Sequence, residues 1–387
     1  MKAGLYTYAW DLEDEGYDRA LGRIAEAGFN NVNLATSYHA GKFLLPHNPK
    51  RRLYIAEDGA IFFQPDLTRY GTITPRVHSL VSADQNPVAK LTEIGPRHGL
   101  NYVAWTVVLH NSWIGEQHPD ATAQTAFGDS LFHSLSPAHP AVREYILALI
   151  GDLVSRYEVS AIELESPGYM GFHHDHHHLM YGIEIDPVQA ELLGISFNPA
   201  EVTGATSAGI DVEGLRERIT TTLDRCWNLG EQVLVDGQPS ATATAILSDP
   251  DLAAYQSWQH DQVVSLSAEI RDVIKQQSPQ TEIRHFAAMA AGEQGGIDTA
   301  LMETGDSVLT GYAAMPDDVP GRMTPLADLG MPAWGMIRAI QPEVTDPAQI
   351  APLVEAWRAQ NVAGIDVYNY GLMPERTFQA LGAALNG

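Results

Sequence analysis

Cysteine is almost absent from this chain of 387 residues, where Cys226 stands alone. No intramolecular disulfide can form, and a cysteine-built zinc site is excluded. Basic residues are scarce too: 23 Lys and Arg face 48 Asp and Glu, for a formal net charge of -25. Phosphate binding needs clustered Lys and Arg, so nucleic acid is an unsuitable partner, and an anionic membrane surface equally so. No apolar run approaches the roughly 20 residues of a membrane span. The opening Met1-Lys-Ala-Gly-Leu-Tyr-Thr-Tyr8 lacks the apolar segment and small-residue cleavage site of a signal peptide. These absences together set the expectation of a soluble, cytoplasmic protein whose charge serves solubility. The nucleophile elbow G-x-S-x-G, the phosphate loop G-x-x-x-x-G-K-[ST] and the dinucleotide turn G-x-G-x-x-G are also missing. No cofactor is expected.

What is present reads as a large globular core, with 45% apolar and 18% charged residues. Strand patterns occur at 2–8, 31–36, 102–109, 161–165, 281–287, 307–312, 333–340 and 364–369. Helical patterns follow them, among them 18–27, 140–156, 350–359 and 374–385. Alternating strands and helices mean an α/β fold with right-handed crossovers, and eight such units close most simply into a (β/α)8 TIM barrel. A single barrel domain over 1–387 is expected, with a helical insertion between strands four and five at about 200–278. A separate helical unit in that region is the competing reading. Long loops after strands two, three and four (37–83, 110–136 and 166–209) fall on the C-terminal face, where barrel active sites lie.

The most informative stretch is Ala161-Ile-Glu-Leu-Glu-Ser-Pro-Gly-Tyr-Met-Gly-Phe-His-His-Asp-His-His-His178. Side chains alternate along a strand, so Glu163 and Glu165 share a face opposite Ile162 and Leu164. In a closed barrel the apolar pair faces the helices, which sends both carboxylates inward, with Glu165 nearest the mouth. The same test places Asp366, Tyr368 and Tyr370 inside strand eight, and Asn33 and Ser37 inside strand two. Glu163 lies deeper and could pair with Arg284 or Arg338 as a buried ion pair. Adjacent histidines in the run 173–178 cannot all reach one ion, and H-E-x-x-H is absent, so no metal is expected there.

Aromatic side chains near strand ends, Tyr38, Trp105, Tyr368 and Tyr370 among them, suit the apolar faces of sugar rings. His39, Lys42 and His47 after strand two, His173 and His174 after strand four, Glu163 and Arg338 are the polar candidates for contacting substrate.

Three segments carry a resemblance. Asn33-Leu-Ala-Thr-Ser-Tyr-His-Ala-Gly-Lys42, Ile162-Glu-Leu-Glu-Ser-Pro-Gly-Tyr169 with its histidines, and Val367-Tyr-Asn-Tyr-Gly-Leu-Met373 are similar to a group of TIM-barrel glycoside hydrolases. The cysteine cluster such proteins often carry after strand four is replaced here by Gly194-Ile-Ser-Phe-Asn-Pro-Ala200. The resemblance implies cleavage of a glycosidic bond in a small saccharide or glycoside. That chemistry needs two carboxyl groups, one to protonate the leaving oxygen and one to act as nucleophile or base. Glu165 is the first candidate, and its partner is Asp366 or Glu293, with Glu163 as a third option. The segments Gly4-Leu-Tyr-Thr-Tyr8 and Ile24-Ala-Glu-Ala-Gly-Phe-Asn30 also resemble metal-dependent sugar isomerases and epimerases. A carbohydrate-binding barrel without catalysis is the third reading. The expected partner is a carbohydrate, and association into a homo-oligomer stays open.

Overall fold

The computed structural model describes residues 1–174, 178–235, 237–287 and 297–387. Among the described residues, eight parallel strands close on themselves: β1 (Lys2–Thr7), β2 (Asn31–Tyr38), β3 (Asn101–Val107), β4 (Ala161–Glu165), β5 (Glu282–Phe286), β6 (Ser307–Tyr312), β7 (Ala333–Arg338) and β8 (Gly364–Tyr368). Each pairs with the next in sequence, and β8 returns to pair with β1 through Ala3 opposite Ile365. The (β/α)8 barrel expected from the strand count is the fold.

Helices on the outside bury the apolar strand faces. They include α1 (Tyr17–Glu26), α2 (Pro87–Ile94), α3 (Pro140–Arg156), α4 (Pro250–Gln277), α5 (Ile350–Arg358) and α6 (Glu375–Asn386). The sequence sets several of their starts. Asn86 accepts a hydrogen bond from the Ala89 amide and Asp249 one from the Asp251 amide, each just ahead of a proline in the first turn. From α3, Ile146, Leu149, Ile150 and Leu153 are fully or almost fully buried, at the three- and four-residue spacing of one helical face. They join Ile162 and Leu164 of β4 in the main core.

The chain between β4 and α4 carries helices at Pro187–Gly194, Pro199–Ser207, Val212–Leu229 and Ala241–Leu247. Helical structure in this stretch thus begins ahead of residue 200. Its apolar residues, among them Leu192, Phe197, Leu215, Ile219 and Leu223, form a cluster of their own with Tyr255 of α4. Glu201, fully buried, ties this cluster to the barrel through Ser136 after β3 and Gln259 of α4. Among the described residues, no helix is long and apolar enough to cross a membrane.

Candidate active site

Two layers of polar side chains stack inside the barrel. In the deeper one, Glu163 Oε1 accepts from Asn33 Nδ2 at 2.9 Å and from Arg284 Nη1 at 3.2 Å. The same Arg284 nitrogen donates to Asp366 Oδ2 at 3.2 Å, and Arg284 Nη2 donates to Glu282 Oε2 at 2.9 Å. The guanidinium also lies 3.6 Å from the centre of the Trp334 ring. Of the two partners the sequence offered Glu163, the structure uses Arg284; Arg338 instead pairs with Glu343 at 3.0 Å. Glu163 and Asp366 are both fully buried. Burial raises both carboxyls above their usual range, their mutual repulsion adds to this at Glu163, and Arg284 opposes it at each. β1 makes room for this layer by having no side chain at Gly4, where an added Cβ would sit 2.0 Å from Asp366 Oδ1 and 2.5 Å from Asn33 Oδ1.

The upper layer is aromatic. Tyr6 and Tyr8 from β1 and its end, Tyr38 from β2, Trp105 from β3 and Tyr368 from β8 surround one another. The ring centres of Tyr6, Tyr8, Tyr38 and Tyr368 lie 5.0, 5.4, 4.9 and 6.0 Å from that of Trp105. Glu165 stands on this floor, half-buried, and its carboxylate accepts the indole N–H of Trp105. Burial pushes its pKa up to about 7, against the pull of that hydrogen bond. Among the described residues no cation neutralises it, in contrast to Glu163. A carboxyl group poised near neutrality at a barrel mouth is able to give or take a proton.

Tyr38 reaches this floor because β2 contains an irregularity. The register against β3 slips between Ala35 and Ser37. An extra residue reverses which side chains face inward. Ser37, expected inside, donates instead to the Val107 carbonyl at 2.8 Å. Tyr370 also departs from the expectation. β8 ends at Tyr368, so alternation no longer applies, and the Tyr370 hydroxyl bonds Glu15 and Arg23 beside α1. His47 is turned to the Tyr370 backbone carbonyl, 2.7 Å away.

Beside Tyr38, four histidines gather from the loops after β2, β3 and β4. His39 stacks on Tyr38 at 4.2 Å and on His110 at 4.4 Å, and His110 Nδ1 lies 3.3 Å from His174 Nε2. His133 is 6.0 Å from His174, ring to ring, and its Nε2 meets the Gly171 carbonyl at 3.0 Å. Burial, followed by the other three imidazoles, holds His110 far below the usual histidine range. Among the described residues, no group of three or more His, Cys, Asp or Glu is arranged to hold a metal ion. His173 is exposed near Phe172, and Lys42 is exposed on a hairpin strand, Gly41–Leu44. Glu293 lies outside the described residues.

The structure thus brings Glu165, Trp105, Tyr38 and Tyr368 together, with His39 and His174 in the adjoining histidine cluster. Glu163 and Asp366 lie a layer deeper. The sequence reading missed Tyr6 and Tyr8, although the alternation test applied to residues 2–8 would have found both. It also missed His110 and His133, which no spacing rule marks.

The model of the family described as glycosyl hydrolase-like 10 matches residues 97–176, a stretch holding Trp105, His110, His133, Glu163, Glu165 and His174. No curated protein matches the chain. Among solved structures, the chain is similar to α-L-fucosidase isoenzyme 2 from Paenibacillus thiaminolyticus, with 12% identity and a TM-score of 0.62. The likeness covers 100% of this chain and 49% of the fucosidase, so the chain spans about half of that protein's length. The PgaB (BpsB) glycoside hydrolase domain from Bordetella bronchiseptica matches at 13% identity and a TM-score of 0.58, over 100% of this chain and 99% of the domain. The catalytic domain of β-amylase from Paenibacillus polymyxa matches at 10% identity and a TM-score of 0.56, over 99% of this chain and 97% of that one. The fold is that of TIM-barrel glycoside hydrolases.

Proposed function

We propose that the protein is a glycoside hydrolase in which Glu165 is the proton donor to the leaving oxygen. The observation that carries this reading is a carboxyl group at the barrel mouth, seated on indole and phenol rings, with no cation beside it among the described residues and a pKa raised to about 7. Such a group remains largely protonated below neutrality and can deliver its proton as the glycosidic bond breaks. The aromatic floor offers faces on which a sugar ring stacks, and the mouth residues Tyr38, His39, His174 and Tyr368 offer partners for its hydroxyls. The matched glycosyl hydrolase-like segment and the fold shared with the PgaB domain and the β-amylase support the same class of reaction.

We assign the second carboxylate of the reaction to Glu293, which follows β5 in sequence. Asp366 is the weaker candidate because Arg284 already occupies it, and Glu163 for the same reason. The substrate is a small saccharide or glycoside, and the chain works as one barrel with a helical insertion. Turnover of a panel of p-nitrophenyl glycosides and short oligosaccharides, followed by chromatography, tests the reading. A cleaved substrate should become inert with Glu165→Gln and with Glu293→Gln. Undiminished turnover by Glu165→Gln would sink the assignment.

A further inference from the structure

One imidazole of the histidine cluster has its proton placed by the backbone. His39, the residue after β2, is held between two rings. Tyr38 covers one face at 4.2 Å with the planes 26° apart, and His110 the other at 4.4 Å and 22°. With both faces covered, only the edge of the ring is left for polar contacts. On that edge Nδ1 lies 2.8 Å from the Ala40 carbonyl oxygen. A carbonyl oxygen only accepts, so Nδ1 carries the proton.

Burial holds the His39 pKa below its usual value, against the pull of the Ala40 carbonyl and the Asp58 carboxylate, so the ring is neutral at neutral pH. A neutral imidazole protonated on Nδ1 keeps a lone pair on Nε2, which accepts and cannot donate. Among the described residues Nε2 has no hydrogen-bond partner. The ring is half-buried and stands next to the aromatic floor: Tyr38 packs on Trp105 at 4.9 Å, and Trp105 holds Glu165. The hydroxyls of Tyr8, Tyr38 and Tyr368, by contrast, bond one another.

We infer that His39 Nε2 accepts a hydrogen bond from a hydroxyl of the sugar seated on the aromatic floor, with the Ala40 carbonyl setting the tautomer that makes it an acceptor. The inference rests on the glycosidase reading and adds a rule of selection to it. The sugar carries a free hydroxyl at that place, and forms in which this hydroxyl is removed, fluorinated or alkylated bind the transition state less well. A polar group left unpaired is costly, so a site built to accept a proton rejects analogues that have none to give. Fluorine can accept but not donate, which separates an accepting nitrogen from a donating one.

The test takes the p-nitrophenyl glycoside that the intact protein cleaves, with its monodeoxy and monodeoxyfluoro forms, and measures kcat/KM for wild type and His39→Phe, which keeps a ring in the stack. Wild type should exceed the variant by about tenfold on the parent glycoside. At one ring position that ratio should fall to about one on the deoxy and the deoxyfluoro form alike. The inductive effect of fluorine acts on both proteins equally and cancels in the ratio. A ratio that survives on the fluoro form means that His39 donates, and it overturns the inference. The same ratio on every substrate signals a packing effect, and a ratio of one throughout signals no contact; either overturns the inference and leaves the hydrolase reading intact. Nitrogen-15 NMR of the wild-type histidines, with His39 assigned by its loss in His39→Gln, reads the tautomer directly at neutral pH. It should show Nδ1 protonated and Nε2 bare, and a proton on Nε2 overturns the inference without any turnover measurement. If wild type cleaves no glycoside at all, the contact and the reading beneath it both fall.

Discussion

The two layers of the barrel interior are made from the same strands and much the same residue types, yet they hold charge in opposite ways. Below, Glu163 and Asp366 surround Arg284, and the guanidinium is stacked on Trp334 and anchored to Glu282. Above, two residues further along β4, Glu165 meets an indole N–H and phenol rings and, among the described residues, no cation. Desolvation lifts all three carboxyls, but only the upper one is half-open to whatever enters the mouth. A buried acid with a fixed cation is committed to holding the barrel together; one with only neutral donors keeps its proton available. Proximity in sequence therefore says little about shared role, whereas the identity of the hydrogen-bond partners says a great deal.

The sharpest way to break this contrast is to neutralise each glutamate of β4 in turn. Glu165→Gln should lower kcat by on the order of a thousandfold or more, and Glu163→Gln by less than tenfold, measured on the same glycoside. Equal losses would erase the distinction between the layers. Next in size is Arg284→Met, which leaves two buried carboxyls without their cation. It should destabilise the fold by roughly 3–5 kcal/mol in urea unfolding at neutral pH, with a smaller penalty at lower pH, because burial favours the neutral form of both carboxyls. Tyr370→Phe, by contrast, removes a hydroxyl bound to Glu15 and Arg23 outside the mouth. It should destabilise the fold by about 1–2 kcal/mol while changing kcat/KM less than twofold.

The smallest effect concerns pH. The folded state raises the Glu165 pKa, so it binds a proton that the unfolded chain releases at lower pH. Stability from this group is complete below the ordinary glutamate value and declines as pH rises towards about 7. Glu165→Gln should accordingly melt at or slightly above the wild-type temperature at pH 8 and match it near pH 4. A variant less stable than wild type at pH 8 would mean that the surroundings favour the ionised carboxylate, which a pKa raised by burial forbids.

Much of the architecture was legible because period-two alternation and strand count are robust to small errors. The bounds of β4 and β6 agree with the patterns residue for residue, and the inward placement of Glu163 and Asp366 follows from their apolar neighbours. Alternation failed where its premise failed. At the slip between Ala35 and Ser37 nothing in the residue types announces an extra residue, and beyond Tyr368 there is no strand for Tyr370 to alternate in. The histidine cluster was half visible. His39 and His110 sit next to recognisable strand ends, although His110 was passed over, whereas His174 lies nine residues beyond β4 and His133 reaches the same place from the strand Ser130–Leu135. The helices Pro187–Gly194 and Pro199–Ser207 went unread because both are short and weakly amphipathic, so periodicity carries little signal there.

Gly4 ties these threads to a single atom that is not there. The space a methyl group would fill on β1 is already taken by the oxygen atoms of Asp366 and Asn33. Any side chain at residue 4 would therefore displace the carboxyl of Asp366 and the amide of Asn33 from their present places. The smallest residue in the first strand lets the last strand bring its acid into the centre of the molecule.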